Sequence, residues 1–196
     1  ESQGANEELS LLADRISTNH TYFFREPSHF DYLSNFWLPE MRSLVALGKE
    51  RDLRLWSAGC ASGEEPYTLA ILLNEALGWQ SAESLSGILA TDISGRALSQ
   101  AELGEYSLDK LKDMPRQLML KYFMPKDSRS WSVAESLRRL VTFRRFNLMN
   151  ERFPFKRPFH AIFCRNVMIY FDEPTNAALI ERFRTSLADK GLLFIG

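Results

Sequence analysis

The sequence predicts an α/β fold built on a Rossmann-like, doubly wound and mostly parallel sheet, with a small inserted subdomain. Three observations support this prediction. Strand-like segments alternate with helix-like segments from residue 53 onward. The strand-like segments are apolar on both faces, which is typical of parallel strands covered by helices on both sides. A turn of small residues follows the first strand, where such sheets bind their ligands.

The composition fits a single folded domain. The chain has 196 residues, of which 45% are apolar and 25% are charged, and both fractions are ordinary for a globular protein. Its two cysteines, Cys60 and Cys164, are too few for a disulfide framework and are interpreted as packing residues. The polar start of the chain is unlike a signal peptide, and no segment approaches the ~20 apolar residues of a membrane-spanning helix. We therefore expect a cytoplasmic protein that does not insert into a membrane.

Charge is distributed unevenly along the chain. Residues 110–165 contain fourteen Lys and Arg against four acids, whereas the remainder contains ten basic and twenty-one acidic residues. This asymmetry fits a basic face that attracts an acidic partner, and it equally fits an ordinary solvated surface. We expect no nucleic-acid partner and a monomeric protein.

Two helices are predicted ahead of the first strand. Residues 5–16 carry apolar side chains at helical spacing, so residues 1–17 are interpreted as a helical remnant or linker. Residues 26–47 show the same spacing after an initial Pro27-Ser28, and Pro39 is expected to kink or break this helix.

The alternating part of the chain is predicted as five strands and their connecting helices. The predicted strands are residues 53–58, 87–94, 140–148, a segment within 160–171, and 191–195. The predicted helices are residues 64–77, ended by Gly78, residues 96–103, and residues 174–187, capped on the far side by Lys190-Gly191. Residues 105–140 are less regular and predict a helix followed by a small insert with extended pieces.

The turn after the first strand, residues 57–63, is the first candidate binding element. Its small residues allow a tight turn and close approach of a ligand, although a GxxxG spacing alone also fits an ordinary strand–helix turn. The turn lacks the Lys and Ser/Thr of a phosphate-binding loop, and Glu64 and Glu65 follow it. Two acids at a helix amino end disfavour a phosphate but not a cationic or neutral ligand, and S-adenosylmethionine, with its sulfonium and ammonium groups, suits them better than a pyrophosphate does.

Polar residues at the ends of the later strands extend this candidate site. Asp92 is placed to accept the ribose hydroxyls of a nucleoside, a role favoured here over capping the helix that starts near Ser94. Asn147 offers an amide for an adenine edge and Leu148 a side chain for its face, although Asn147 alone also suits a turn. Arg165-Asn166 interrupt an apolar run near the expected topological switch.

Several motifs in this order resemble the chemotaxis receptor methyltransferase family, CheR, whose members are class I S-adenosylmethionine-dependent methyltransferases. The motifs are TNHTYFFRE at 18–26, SAGCASGEEPYTLA at 57–70, LATDIS at 89–94, FNL at 146–148 and HAIFCRNVMIYFD at 160–172. The resemblance implies methylation of glutamate side chains in the cytoplasmic domains of chemoreceptors during chemotaxis adaptation. It further implies S-adenosyl-L-methionine as cofactor, with glutamyl methyl esters and S-adenosyl-L-homocysteine as products.

The resemblance also implies which residues form the site. The family's cofactor contacts fall on Asn19, Thr21, Arg25, Glu65, Asp92, Asn147, Leu148, Arg165 and Asn166. Tyr170 matches the family tyrosine beside the transferable methyl group. Because a glutamate carboxylate is ionised at neutral pH, no strong general base is required. We therefore expect Arg25 to hold a carboxylate, of either the acceptor or the methionine moiety, and Tyr170 to orient the reactants.

The chain departs from the family pattern at both ends. The family has a longer helical domain before the FFR motif, which puts receptor recognition in question, and further strands after the position of Gly196. Residues 18–196 are expected to form the S-adenosylmethionine-binding domain, with the family's small antiparallel β-subdomain within about residues 105–140. Docking of receptor tails on that subdomain is not universal in the family.

Other functions remain open from the sequence. Cofactor motifs do not encode the acceptor, so another protein or a small molecule is an alternative substrate. A catalytically idle S-adenosylmethionine-binding signalling module is a second alternative, against which Arg25 and Tyr170 count. A nicotinamide-dependent dehydrogenase fits poorly, because the GxGxxG spacing is missing. No metal site is predicted, since His20, His29 and His160 lack ligand spacing.

Overall fold

The computed structural model of the chain describes residues 21–196. The helix predicted for residues 5–16 and the predicted site residue Asn19 lie outside the described residues. Within residues 21–196, no helix is long and apolar enough to cross a membrane.

The described residues form eight strands and a set of mostly short helices. The strands are β1 Leu53–Ala58, β2 Ser86–Asp92, β3 Glu105–Ser107, β4 Phe123–Pro125, β5 Ser130–Val133, β6 Val141–Arg145, β7 Phe159–Cys164 and β8 Leu187–Ile195. The helices are α1 Pro27–Tyr32, α2 Leu38–Ala46, α3 Glu64–Leu77, α4 Trp79–Leu85, α5 Gly95–Leu103, α6 Leu108–Leu111, α7 Arg116–Tyr122, α8 Glu135–Leu140 and α9 Glu173–Ser186. A π-helical turn, Leu33–Trp37, joins α1 to α2, and a 3₁₀ turn, Met168–Tyr170, follows β7.

Five parallel strands form the main sheet in the order β6-β2-β1-β7-β8. Within this sheet the chain first forms β1 and then runs outward to β2 and β6. It then crosses back, so that β7 and β8 lie on the other side of β1. The topological switch therefore lies between β1 and β7, and the carboxyl ends of these two strands border the crevice where such folds bind ligands. The predicted doubly wound parallel sheet is confirmed.

Both faces of this sheet are buried, as the apolar strands predict. In β1, Leu53 and Leu55 belong to one core cluster, whereas Trp56 and Ala58 belong to a second cluster on the opposite face. Alternate side chains of a strand point to opposite faces, so a strand that is apolar throughout requires a layer of helices on each side. Packing of α3 covers the first face and packing of α9 the second.

The segment after α5 forms a second, antiparallel sheet in the order β3-β5-β4. It packs on the first core cluster through buried aromatic side chains, among them Tyr106 and Phe123. Residues 105–140 thus contain both extended pieces and short helices, and the small sheet lies beside α3 rather than extending the main sheet.

Three sequence predictions differ from the structure in detail. Pro39 was expected to kink or break its helix; the helical chain continues through Pro39, and the irregularity is the π-helical turn just before it, where the Leu38 N–H donates to the Leu33 carbonyl. Lys190-Gly191 do not cap α9, which ends at Ser186; they lie inside β8, where the pairing with β7 is irregular. The third strand is shorter than predicted and ends at Arg145, so Asn147 and Leu148 follow it in a turn.

Candidate cofactor-binding and active site

The turn between β1 and α3 is shaped by three residues with positive φ. Gly59, Ala61 and Gly63 have φ values of 91°, 46° and 95°, a region that suits glycine because it has no Cβ. A Cβ on Gly59 would overlap the side chain of Val167, which follows β7. The loop after β7 therefore packs directly on this turn, and the glycine permits that approach.

The end of β2 holds the same turn from the other side. The Gly59 and Cys60 N–H groups donate to the Thr91 carbonyl at 2.8 and 2.9 Å. Asp92 accepts the Ala61 N–H at 2.8 Å through one carboxylate oxygen and the Ser94 N–H at 2.9 Å through the other. A carboxylate has about four acceptor positions, so these two bonds are compatible with further bonds to a ligand.

The alternative role considered for Asp92, as a helix cap, is not the one observed. Ser94 is the N-cap of α5, and its hydroxyl accepts the Ala97 N–H at 3.1 Å. Asp92 instead fixes the turn, and it remains only 8% exposed at the edge of the crevice.

The two acids after the turn are both paired with cations. The Glu64 side chain is fully buried, lies 2.9 Å from Lys110 Nζ, and accepts the Ser62 hydroxyl at 2.7 Å. The Glu65 side chain is 13% exposed, lies 3.1 Å from Arg165 Nη1, and accepts the Ser57 hydroxyl at 2.7 Å. The expected repulsion of a phosphate is therefore weaker than the sequence indicates, because each carboxylate is matched by a positive charge.

Burial dominates the proton equilibria at the turn. It raises the pKa of the Glu65 carboxyl, and the Arg165 charge and the Ser57 hydrogen bond only partly oppose this shift. It also raises the pKa of the Cys60 thiol well above the usual value, with the Asp92 and Glu65 charges adding to the effect. The pKa of the Cys164 thiol rises to about 12, again mainly through burial. Since a nucleophilic cysteine needs a lowered pKa, the geometry agrees with packing roles for both cysteines.

Residues 21–26, called the FFR segment below, pack against this site. Phe23 is buried and packs edge-on against Tyr106 at 5.0 Å and Phe123 at 5.3 Å between ring centroids. The Phe24 N–H donates to the Thr68 hydroxyl of α3 at 3.3 Å. At the start of the segment, Lys110 Nζ donates to the Thr21 carbonyl at 2.8 Å. The segment is therefore attached both to α3 and to the inserted part of the chain.

Arg165 connects the FFR segment to the turn. Its side chain is 2% exposed and lies over the Phe30 ring at 4.9 Å. Besides Glu65, its guanidinium contacts Glu26 at 3.2 Å and donates to the Arg25 carbonyl. Its Nε is buried and has no hydrogen-bond partner among the described residues. A buried cation with one unused donor suits a ligand that carries an acceptor group.

Some of the predicted site residues do not contact the network formed by Arg165, Glu65, Glu26 and the turn. Asn147 is exposed and its side-chain oxygen accepts the Met149 N–H at 2.9 Å, while Leu148 is buried in the second core cluster. Both lie near Asp92, because the Phe146 N–H donates to the Asp92 carbonyl at 3.0 Å. Tyr170 is 62% exposed in the 3₁₀ turn after β7. Asn166 joins the network directly, donating to Glu26 at 2.9 Å.

Sequence reasoning gave no individual role to four residues of the network, although Ser57 lies in the candidate turn. They are Glu26, Ser57, Tyr106 and Lys110. Tyr106 donates to the Ser62 carbonyl at 2.7 Å, so the inserted segment supports the turn through both Tyr106 and Lys110. Glu26 stands next to Arg25 in a quoted motif, and Ser57 is a polar residue at the end of an apolar strand, so each offered a weak signal. Tyr106 and Lys110 offered none.

The residues present fit a nucleoside-containing ligand with a carboxylate end. Asp92 supplies a carboxylate for hydroxyl groups, the small residues of the turn leave room for close approach, and Arg165 supplies a buried donor. These features lie together at the carboxyl ends of β1, β2 and β7, where such ligands bind. Among residues 21–196, no group of three or more His, Cys, Asp and Glu side chains is arranged to hold a metal ion.

Comparison with known proteins shows which family this chain resembles. The family described as "CheR methyltransferase, SAM binding domain" matches residues 19–196. The chain is 44% identical over 196 residues to the chemotaxis protein methyltransferase of Borreliella burgdorferi, covering 100% of this chain and 69% of that protein. It is 40% identical over 193 residues to chemotaxis protein methyltransferase 2 of Pseudomonas aeruginosa, covering 96% of this chain and 66% of that protein. The chain thus spans about two thirds of the length of these relatives.

The fold is shared with more distant methyltransferases of known structure. The glycopeptide N-methyltransferase MtfA complexed with sinefungin superposes with a TM-score of 0.50 at 11% identity, covering 92% of this chain and 53% of that chain. At that identity the likeness concerns the fold alone.

Proposed function

Because the chain belongs to the CheR methyltransferase family and carries its S-adenosylmethionine-binding domain, we propose that it methylates glutamate side chains of chemoreceptor cytoplasmic domains. The products are glutamyl methyl esters and S-adenosylhomocysteine. One observation carries the proposal: the FFR segment, the turn after β1 and the loop after β7 meet at Arg165, at the topological switch. The relatives named as chemotaxis methyltransferases support the choice of acceptor.

The cofactor is held by side chains from several strand ends. In this proposal Asp92 accepts the ribose hydroxyls, Asn147 and Leu148 contact the adenine, and Thr21, Arg25 and Glu65 contact the amino-acid end. Arg165 and Asn166 complete that end, and Asn19 contributes from outside the described residues. S-adenosylmethionine supplies a methyl group bonded to a positively charged sulfur, which makes the methyl group electrophilic.

The protein's part in the reaction is alignment rather than proton transfer. The acceptor glutamate has an unperturbed pKa of about 4.3 and is already ionised at neutral pH. Arg25, 28% exposed at the edge of the site, holds a carboxylate, and Tyr170 orients the acceptor opposite the leaving sulfur. Alignment of this kind and removal of water from the nucleophile lower the barrier without a general base.

The wider context of the proposal follows the same chemistry. The basic segment of residues 110–165 provides positive charge for an acidic receptor partner. We place the protein in the cytoplasm as a monomer that binds no nucleic acid and does not enter the membrane. Residues 18–196 form its S-adenosylmethionine-binding domain, with the β-subdomain within about residues 105–140.

Two measurements test the function. S-adenosylhomocysteine is titrated into the protein by calorimetry, and transfer of labelled methyl groups onto chemoreceptor cytoplasmic fragments is then assayed. Binding and base-labile label on glutamates are expected. Binding without transfer to any receptor fragment would support an idle module, and absence of binding would overturn the assignment of the cofactor site.

The assigned roles of Arg25 and Tyr170 predict a loss of turnover. Arg25→Ala and Tyr170→Phe should each lower turnover at saturating substrate by at least about tenfold, since each removes a group that aligns the reactants. Arg42→Ala and Tyr32→Phe are matched controls on exposed positions of α2 and α1 and should leave turnover unchanged. Full turnover in both test variants would show that the roles are wrong.

A further inference from the structure

Glu26 has more contacts with the site than a surface glutamate requires. One carboxylate oxygen accepts a hydrogen bond from Asn166 Nδ2 at 2.9 Å, and the other lies 3.2 Å from Arg165 Nη2. His29 Nδ1 lies 3.5 Å from the same oxygen. The Glu26 side chain is still one third exposed, at 33%, so burial alone does not account for these contacts.

The backbone around Arg25 is unusual in a way that needs such contacts. Phe24 and Glu26, the two neighbours of Arg25, have φ values of 58° and 56°, and Asn166 opposite them has a φ of 57°. These are left-handed conformations that residues with a Cβ rarely adopt, and they persist only when surrounding contacts hold them. Arg25 therefore sits in a short segment whose shape is imposed by its partners.

Those partners hold Arg25 from both sides. Before it, the Phe24 N–H bonds to Thr68 at 3.3 Å. At Arg25 itself the carbonyl accepts from Arg165. After it, the Glu26 carboxylate bonds to Arg165 and Asn166, and lies 3.9 Å from Arg25 Nε. The backbone that carries the Arg25 side chain is thus held on both sides, and Glu26 supplies the contacts that follow it.

Charge supports the same conclusion. Partial burial raises the pKa of the Glu26 carboxyl, but the Asn166 hydrogen bond and the Arg165 charge outweigh it, so the pKa lies below its usual range. The buried Arg165 guanidinium is shared between two carboxylates, those of Glu26 and Glu65. A neutral residue at position 26 would leave Glu65 as the one of these two carboxylates that pairs with Arg165, and would weaken the attachment of the FFR segment to the loop after β7.

We propose that Glu26 is a positioning residue that holds Arg25 in its working conformation through its contacts with Arg165 and Asn166. This inference rests on the proposed function of Arg25 in the site. In this role Glu26 acts through Arg25 rather than by binding the cofactor or the acceptor itself.

A double-mutant cycle separates positioning from general stabilisation. Glu26→Gln, which keeps the shape and an acceptor for Asn166, is compared with Arg25→Ala and with the double variant. The dissociation constant for S-adenosylhomocysteine and kcat/KM for methyl transfer are measured for each, with thermal unfolding as a check of folding. Glu26→Gln should weaken whichever constant Arg25→Ala weakens, by about tenfold, yet by less than about threefold when Arg25 is already Ala.

Glu50→Gln is the matched control. Glu50 is also a partly buried, paired glutamate, bonded to His160 at 3.1 Å at the amino ends of the strands, far from the site in the fold. It should leave both constants unchanged. If Glu26→Gln does not fold, Glu26→Asp, which keeps the charge but shortens its reach, is carried through the same cycle.

The possible outcomes separate the positioning role of Glu26 from the proposed methyltransferase function. Equal losses from the glutamate substitution with and without Arg25, or no loss at all, would overturn the positioning role while leaving methyl transfer by the wild type intact. Failure of the wild type to methylate receptor fragments would overturn the proposed function, and the cycle on S-adenosylhomocysteine binding would still decide the role of Glu26.

Discussion

Lys110 joins the inserted segment to the start of α3 and to the FFR segment, beside the candidate binding turn. Its ammonium group donates to the Thr21 carbonyl at 2.8 Å and to the Glu64 carboxylate at 2.9 Å. The Glu64 side chain is completely buried, whereas that of Lys110 is 40% exposed. A buried carboxylate that loses its cation is costly, because neither water nor another charge replaces the partner.

Lys110→Met is therefore predicted to destabilise the protein by about 2 kcal/mol, a value reduced from that of a fully buried pair because Lys110 is partly solvated. The free energy of unfolding from urea denaturation measures this effect. Lys121→Met is the matched control, since Lys121 pairs with Glu75 on the surface, with side chains 58% and 40% exposed. It should destabilise the protein much less than Lys110→Met does, because the surface pair is screened by solvent. Equal costs for the two variants would contradict the role given to Lys110.

At the scale of elements, the turn between β1 and α3 is the part of the site with the least freedom to change. Three of its residues have positive φ, and it is held by β2 through Asp92 and by the loop after β7 through Val167. Its shape therefore depends on how the ends of β1, β2 and β7 pack together, and not on the turn alone.

Gly59→Ala should lower the unfolding free energy by more than the backbone strain of a positive φ accounts for. The substitution places a Cβ at positive φ and against Val167, so we expect a loss of about 3 kcal/mol in unfolding free energy and weaker binding of S-adenosylhomocysteine. Gly78→Ala is the control, because Gly78 has a similar φ of 78° but open space around the added Cβ. It should cost only the strain, about 1–2 kcal/mol, and leave binding unchanged. Unfolding curves and calorimetric titration of both variants give the comparison, and indistinguishable results would refute the close packing of Val167 on the turn.

The inserted segment is a second case at this scale. Its small sheet reaches the site through Tyr106 and Lys110, and its aromatic side chains pack against Phe23. The segment is thus part of the support of the site, in addition to any role in binding a partner.

For the whole molecule, paired carboxylates determine the response to acid. The pKa values of Glu26 and Glu50 lie below the unfolded value of 4.5, because hydrogen bonds and nearby cations outweigh their partial burial. The pKa of Glu75 is also lowered, chiefly by its hydrogen bonds with Lys121 and Tyr122. Groups of this kind stabilise the folded state fully above their unfolded pKa and lose that effect as the pH falls through the folded pKa. Glu65 acts in the opposite sense, since its pKa is raised.

Stability is accordingly predicted to be maintained near neutral pH and to fall as the pH drops below about 4.5, because several carboxylates with a lowered pKa are then protonated, against the one raised case of Glu65. The lowered group also includes Asp127, Asp172 and Glu181. Urea unfolding between pH 3.5 and 7 measures the slope. Glu50→Gln should reduce the loss on acidification, because the variant has one paired carboxylate fewer to protonate. A wild-type protein that becomes more stable on acidification over this range would contradict the prediction.

Much of the fold could be predicted from the sequence, because the signals for its main strands and helices are local. Strands such as β1 and β7 are apolar throughout, α3 has helical spacing and ends at a glycine, and each signal lies within one short window. The helix α4 was missed, and one helix was predicted in the inserted segment where the structure has α6, α7 and α8, because their periodicity is weak and packing decides them. The same holds for Pro39, whose effect depended on the π-helical turn before it.

The sequence by itself determined the parallel sheet, the position of the binding turn and, through its motifs, the methyltransferase family and most of the residues proposed for the site. Only the tertiary structure decided how those residues are held: that Glu64 and Glu65 are neutralised by Lys110 and Arg165, and that Glu26 bonds to Arg165 and Asn166. Spacing along a chain reports which side chains share a strand or a helix face. Ion pairs between residues far apart in sequence depend on how separate elements pack, and no local pattern encodes that packing.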